Sequence, residues 1–277
     1  MPPAAVRVIT WNVNGIRARF PEVVELCRRE QPDVLCLQEI KATAAQVPEP
    51  LTGLPDYHSV WHGGPRGYSG VSLHVRRATC AIAPPERSPP GSETGSRGMT
   101  PWASPDCTPT AFDVEFRALE LALGPVRILS VYVPNGNRDL PTKMTFLRAL
   151  VAHATAARAA GNQLVICGDL NVARTDMDVY QPMRNPRAIG QLGEERALLE
   201  AIIDGDLVDL LRAFDPDNPG LFTWWPPWRE ERRKNHGWRL DYILASRSLA
   251  ASSCRVLADV GTSDHAPVAA EIAVVLS

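Results

Sequence analysis

The chain carries almost no net charge. Its 29 Lys and Arg residues stand against 31 Asp and Glu, for a net charge of −2. No global field draws such a protein onto a polyanion, so any nucleic-acid contact must come from a local basic surface. Cysteine is sparse and scattered, at positions 27, 36, 80, 107, 167 and 254, with no CxxC pair. That argues against a thiolate zinc site. Cys36 and Cys167 sit in apolar strand-like runs, where a small buried thiol is expected, and reduced thiols fit a cytoplasmic location. The opening MPPAAVRVITW has no charged leader and no extended apolar stretch. Neither a signal peptide nor a membrane span is expected. What remains is ordinary globular composition, 45% hydrophobic and 22% charged over 277 residues. That length can bury a sizeable core in one large domain or two small ones.

Strand and helix patterns alternate in both halves. Val6 to Thr10 reads as a strand, Pro21 to Glu30 as a helix stopped by Pro32, and Asp33 to Gln38 as a buried strand. Later, Val126 to Val133 reads as a strand, Lys143 to Ala160 as a helix and Gln163 to Gly168 as a strand. A helix over Glu194 to Ile203 and strands over Arg239 to Ala245 and Val268 to Val275 follow. Strand-like stretches at Gly70 to Arg76 and Ala111 to Leu123 lie between the halves. This order predicts layered α/β packing, with two sheets and helices outside. Pro84 to Thr110 is rich in Pro, Ser, Thr and Gly and reads as a long surface insertion.

The apolar run Leu164-Val165-Ile166-Cys167 stops at a glycine and at once delivers Asp169 and Asn171. The same thing recurs along the chain. Asn12, Glu39, Asn135, Asp169, Asn171, Asp241, Asp264 and His265 each lie at or beside the end of an apolar strand. Any one of them could simply cap a helix or close a turn. Taken together, they predict a rim of carboxylates, amides and one His carried on loops of a rigid sheet. Oxygen-rich ligands with few nitrogens and no sulfur favour Mg²⁺, or Mn²⁺, over zinc.

WNVNGIRAR, LCLQEIK, GYSGVSL, YVPNG, CGDLNVA, FTWW, NHGWRLDYILAS and SDHAPV occur in this order. Together they resemble the exonuclease III family of AP endonucleases, within the endonuclease/exonuclease/phosphatase superfamily. The resemblance runs from Val6 to about Val275. GDLN and SDH mark the superfamily, whereas GWRLDY and YVPNG mark its DNA-repair branch. It implies a single domain over residues 1–277 with a four-layer α/β sandwich, two mixed β-sheets face to face and helices outside. It also implies a Mg²⁺-dependent hydrolase that cuts duplex DNA 5′ to abasic sites and trims blocked 3′ ends or nucleotides.

By the same resemblance, Glu39 is the main metal ligand. Asp264 joins it, with Asn12, Asn14, Asp169, Asn171 and His265 also at the metal or close by. The family varies at the position of Asn14, where some members carry Asp. Asp169 is implied to take a proton from the attacking water or to orient it, with Asn171 holding both. His265, oriented by Asp241, donates to a phosphate oxygen. Tyr132, Asn135 and Lys41 face the phosphate. Phe222, Trp238 and Leu240 are expected to line the pocket for the extruded deoxyribose, with Trp224 in the core. Arg138, Arg187 and the charge run Arg229 to Lys234 are candidate phosphate contacts. A monomer in the cytoplasm is expected, with salt-sensitive DNA binding. Three rival readings remain: a mainly 3′–5′ exonuclease, a relative acting on another phosphodiester such as RNA or a phosphoinositide, and an inactive DNA-binding protein.

Overall fold

Twelve strands form among the described residues, which are 4–82, 106–228 and 230–275 of this computed structural model. They are β1 (Ala4–Asn12), β2 (Val34–Gln38), β3 (Tyr57–His62), β4 (Val71–Arg76), β5 (Cys107–Pro109) and β6 (Ala118–Leu123). The second half supplies β7 (Val126–Tyr132), β8 (Gln163–Asp169), β9 (Leu207–Asp209), β10 (Asp241–Ser246), β11 (Ala251–Val256) and β12 (Val268–Val274). One sheet has the order β11-β12-β1-β2-β4-β3, the other β5-β6-β7-β8-β10-β9. Each sheet is mixed, with one parallel pair: β1 with β2, and β7 with β8. A parallel pair needs a crossover. The helices Ile16–Glu30 and Leu140–Ala159 supply the two crossovers.

Successive side chains on a strand point to opposite faces, and both faces of these sheets are covered. Between the sheets, Val6, Val8, Cys36 and Leu73 meet Leu121, Ile128, Val165, Cys167 and Ile243. On the outer face of the first sheet, Ile9, Leu35 and Leu37 pack with Val23 and Leu26 of the first helix. Outside the second sheet, Leu129, Ile166 and Leu244 pack with Phe146, Leu147 and Leu150, and with Leu199 and Ile202 of the helix Gly193–Ile203. The result is the predicted four-layer sandwich. Continuous apolar runs such as VLCLQ, buried at every position, belong to strands covered on both sides.

Several boundaries differ from the sequence reading. The first helix starts at Ile16, not Pro21, because Gly15 and Ile16 donate their N–H groups to the Glu39 and Ile40 carbonyls (2.8 and 2.9 Å). That tertiary anchor sets the start five residues early and leaves Pro21 inside the helix. The second crossover helix begins at Leu140, where the Asp139 side chain accepts from the Thr142 N–H at 3.0 Å. Of the predicted insertion, residues 84–105 lie outside the described residues, while Cys107–Pro109 pairs with β6 as an edge strand. The expected strand from Ala111 forms only from Ala118, since Asp113 accepts from the Arg117 and Ala118 N–H groups and folds the preceding residues into a turn.

Candidate active site

Registry brings the predicted residues together. Tyr132 and Asp241 are both paired with Asp169, so three polar side chains stand abreast on neighbouring strands of the second sheet. Asn12 pairs with Gln38 at the end of the first parallel pair. Past that point the chain turns sharply. Asn14, Glu39, Lys41 and Asn171 all hold φ between 45 and 51°. Left-handed backbone at non-glycine residues costs roughly 1–3 kcal/mol each and tends to collect at functional sites. Gly168 is required where β8 runs beside β7: a Cβ there would stand 1.9 Å from the Val131 carbonyl oxygen, at φ +143°.

The buried Asn12 amide joins the two sheets, its Nδ2 donating to Glu39 Oε1 (3.0 Å) and to Asp169 Oδ2 (2.9 Å). Its Oδ1 accepts from the Asn14 N–H. Asn14 in turn donates to Asp264 Oδ1 at 2.8 Å and accepts from the Lys41 ammonium, which also pairs with Glu39 at 2.8 Å. Asn171 donates to Asp169 Oδ1 from its backbone (2.9 Å) and to Oδ2 from its side chain (3.1 Å), and accepts from Asn135. His265 Nδ1 lies 2.9 Å from Asp241 Oδ2, and its Nε2 lies 3.9 Å from Asp169 Oδ2. Ligating atoms of Glu39, Asp169 and His265 lie within 4.8 Å of one another, a group able to hold a divalent metal.

Proximity shifts the titrations. Burial, helped by the charges of Asp241 and Glu39, pushes the Asp169 carboxyl up to about 7 against the pull of His265. Burial disfavours charge on His265, but Asp241 and Asp169 outweigh it and raise the imidazole to about 10. Burial also works against the Glu39 carboxylate, yet Lys41 and Asn12 hold it below the ordinary range. Tyr132 is driven well above the ordinary phenol value by burial and by the charges of Glu39 and Asp169.

A cavity of about 560 Å³ opens over this cluster, with Trp224, Trp238 and Leu240 on one wall and Ala188, Ile189 and Gly190 on another. An adjoining cavity of about 500 Å³ shares Glu39 and Asn135 and holds Lys41, Tyr132 and Arg138. Arg187 is exposed on the loop that precedes Ala188.

The aromatic assignment is corrected. Phe222 is buried with Trp225 and Ala266 and lines a different, smaller cavity. Trp224, read from sequence as core, lines the cavity over the cluster and donates its indole N–H to Asp264 Oδ2 at 3.1 Å. Bridges from Trp224 to both Trp238 and His265 turn it that way. Of the charge run, Arg232 is taken up by the protein's own backbone. Arg232 donates to the Ser263, Ala258 and Val260 carbonyls, and Arg233 pairs with Glu230. Arg229 of that run lies outside the described residues.

Sequence reasoning missed Trp228, Tyr68 and Arg117. Trp228 is 60% exposed at the cavity rim. Arg117 stacks 4.6 Å over the Tyr132 ring and donates to the Tyr68 hydroxyl. The aromatic density of FTWWPPW was the one available signal for Trp228. Nothing local marked Arg117.

The sequence model of the Endonuclease/Exonuclease/phosphatase family matches residues 9–265. The chain is 31% identical to the DNA repair nuclease APEX1 of Danio rerio, over 98% of this chain and 83% of that protein. It is 30% identical to an exodeoxyribonuclease of Bacillus subtilis, over 95% of this chain and 98% of that one. Among solved structures, the 3′ phosphatase NExo from Neisseria, bound to a product DNA hairpin, matches with a TM-score of 0.79 and 27% identity, over 96% of this chain and 98% of that chain.

Proposed function

This chain belongs to the Endonuclease/Exonuclease/phosphatase family, and we propose that it is a DNA repair nuclease that hydrolyses the phosphodiester 5′ to an abasic site. The observation that carries this reading is the meeting, in one cavity, of the Glu39–Asp169–His265 cluster with a wall of Trp224, Trp238 and Leu240. Such a wall suits a deoxyribose that has lost its base. Extruding that sugar is cheap, because no base pair has to be broken. A nearly neutral chain can bind DNA through local cations, here Lys41 and Arg138 beside the cluster, with Arg187 on the neighbouring loop.

Asp169, held by Asn12 from the other sheet, is placed to accept the proton of the attacking water. Asn171 holds both of its oxygens. His265 keeps its proton and donates to a non-bridging phosphate oxygen, while Asp241 orients the ring. Tyr132, neutral at working pH, donates from the adjoining cavity. These fixed donors sit where negative charge develops on phosphorus oxygens.

The residues present fit a hard cation. Carboxylates predominate, and Asp169 is raised by burial and then by the charges of Asp241 and Glu39, a repulsion that a bound cation would relieve. Mg²⁺ held by Glu39, with Asp264 and Asp169 close by, would supply Lewis-acid stabilisation of the phosphoryl oxygens. Asn12 turns its Nδ2 to the carboxylates, so we read it as holding ligands rather than serving as one. His265, protonated and spent on Asp241, is likewise read as a donor.

A duplex carrying one tetrahydrofuran abasic analogue and a 5′ label tests the reading, with and without Mg²⁺ and alongside Asp169→Asn. The expected result is a single Mg²⁺-dependent nick 5′ to the analogue, lost in the variant. Shortened products from an undamaged 3′ end, with no nick, would replace this reading with a mainly 3′–5′ exonuclease or 3′-end phosphodiesterase, which the likeness to NExo favours. Cleavage of neither substrate would sink both. The site draws Asn12, Glu39 and His265 from one sheet side and Tyr132, Asp169 and Asp241 from the other, which supports reading residues 1–277 as one domain. We also expect the protein to act on DNA as a monomer.

A further inference from the structure

Lys143 and Glu195 form an ion pair 2.5 Å long, with no exposure at either side chain. A buried pair of this kind is weak evidence for stability by itself, since burial costs both charges their hydration. Its further bonds are more telling. Lys143 Nζ donates to the Asn171 carbonyl at 2.7 Å. Glu195 Oε2 accepts from the Gly190 N–H at 2.6 Å and from the Leu192 N–H at 3.0 Å. The Ala173 N–H closes the circuit onto the Gly190 carbonyl at 2.7 Å. The Lys143 stem also packs on Gly136, where an added Cβ would come within 2.7 Å of its Cδ.

Three separate segments are therefore fastened to one pair. The Asn135–Gly136 turn supplies Asn135. The turn after β8 supplies Asn171, held at φ 51°. The loop before the helix Gly193–Ile203 supplies the Ala188–Gly190 wall. We infer that Lys143 and Glu195 are positioning residues of the nuclease reaction. They fix the Asn171 peptide, and through it the Asp169 carboxylate, against the sugar-pocket wall. The inference rests on the function proposed above, in which Asn171 aligns Asp169 and the water.

The test uses the full chain as wild type, as the Lys143→Met/Glu195→Gln double variant, and as Glu195→Gln alone. The double variant removes both charges together and leaves a carboxamide oxygen to accept from Gly190 and Leu192. Cleavage of the abasic-analogue duplex with Mg²⁺ gives kcat and KM separately. Hydrogen exchange is read over 170–173 and 188–192, with β12 as the control for global folding. A misplacement of about 1 Å can cost on the order of 100-fold in rate. The double variant should therefore lose about 100-fold in kcat with KM within about threefold, and exchange faster over both segments while β12 is unchanged. A folded double variant with kcat within about threefold of wild type, or with slow exchange retained, would reduce the pair to a structural one and overturn the inference. If the double variant does not fold, Glu195→Gln decides. The same split in smaller measure is expected, and an unchanged kcat overturns the idea. The exchange measurement needs no activity. A wild type that cuts nothing would defeat the proposed function while still showing whether the pair holds Asn171.

Discussion

Replacing Arg239 by methionine should unfold this protein at a distinctly lower temperature. The Arg239 guanidinium is fully buried. It grips Asp178 bidentately at 2.7 and 3.1 Å, reaches Asp209 at 2.9 Å and stacks 4.5 Å over the Tyr242 ring. Methionine fills much of the same space but strands two buried carboxylates, left with Arg212 on Asp178 and a longer contact from Arg174 to Asp209. Removing one partner of a buried ion pair typically costs about 3–5 kcal/mol. Unfolding entropy of roughly 2.1 cal/mol/K per residue, taken over the whole chain, turns that into a Tm drop of about 5–9 °C.

The drop should depend on pH with a definite sign. Burial would raise the Asp178 pKa, but Arg239 and then Arg212 outweigh it and hold the carboxyl at about 2, below its ordinary 3.8. A group depressed in the folded state stabilises above its unfolded pKa and loses that contribution as pH falls through the folded one. The difference between wild type and variant should therefore stand in full above about pH 4 and narrow toward pH 2. Calorimetric or circular-dichroism melts from pH 7 down to pH 3 would measure it. A drop below about 2 °C at pH 7, or a gap that widens in acid, would refute the reasoning. Because Arg239 directly precedes Leu240 and Asp241, the same variant should also disturb the cavity wall.

Three further outcomes bear on the site itself. Trp228, exposed at the rim of the cavity, is placed to stack on a base. Stacking is worth about 1–3 kcal/mol per base, so Trp228→Ala should weaken DNA binding roughly 5- to 150-fold. A change below about twofold in a fluorescence titration would remove it from the interface. Chelation should abolish cleavage, and Mg²⁺ or Mn²⁺ should restore it. Asn12→Ala, which deletes the amide shared by Glu39 and Asp169, should raise the Mg²⁺ needed for half-maximal cleavage about 10- to 100-fold. An unchanged requirement would speak against the assigned cluster.

Much of the site was legible before any fold was known, because each polar residue sits where an apolar run ends. A strand that must stay buried can present a carboxylate only at its rim, so the placement of Glu39, Asp169 and Asp241 is readable from local pattern. Reading the aromatic pocket failed at one residue, Phe222, for a related reason. Phe222 and Trp224 lie two residues apart in one apolar stretch, and local pattern alone could not tell which of them reached the cavity. Trp224 was turned toward His265 by pairing with Trp238, a contact between distant segments that no local pattern carries.

The alternation of strands and helices, the two crossovers and the strand-end chemistry were open to a reader of the residues alone, because they follow from side-chain periodicity and from where the backbone must stop being buried. The rest came from long-range contacts. The first helix begins at Ile16 because its N-terminus is anchored by carbonyls past the end of β2. The arginine at 232 is consumed by three carbonyls of one loop rather than left for phosphate. The buried partners of Arg239 and Lys143 lie 61 and 52 positions away in the chain. Charge pairing acts through space with no period along the sequence, so such partners emerge only when distant segments of the chain pack together.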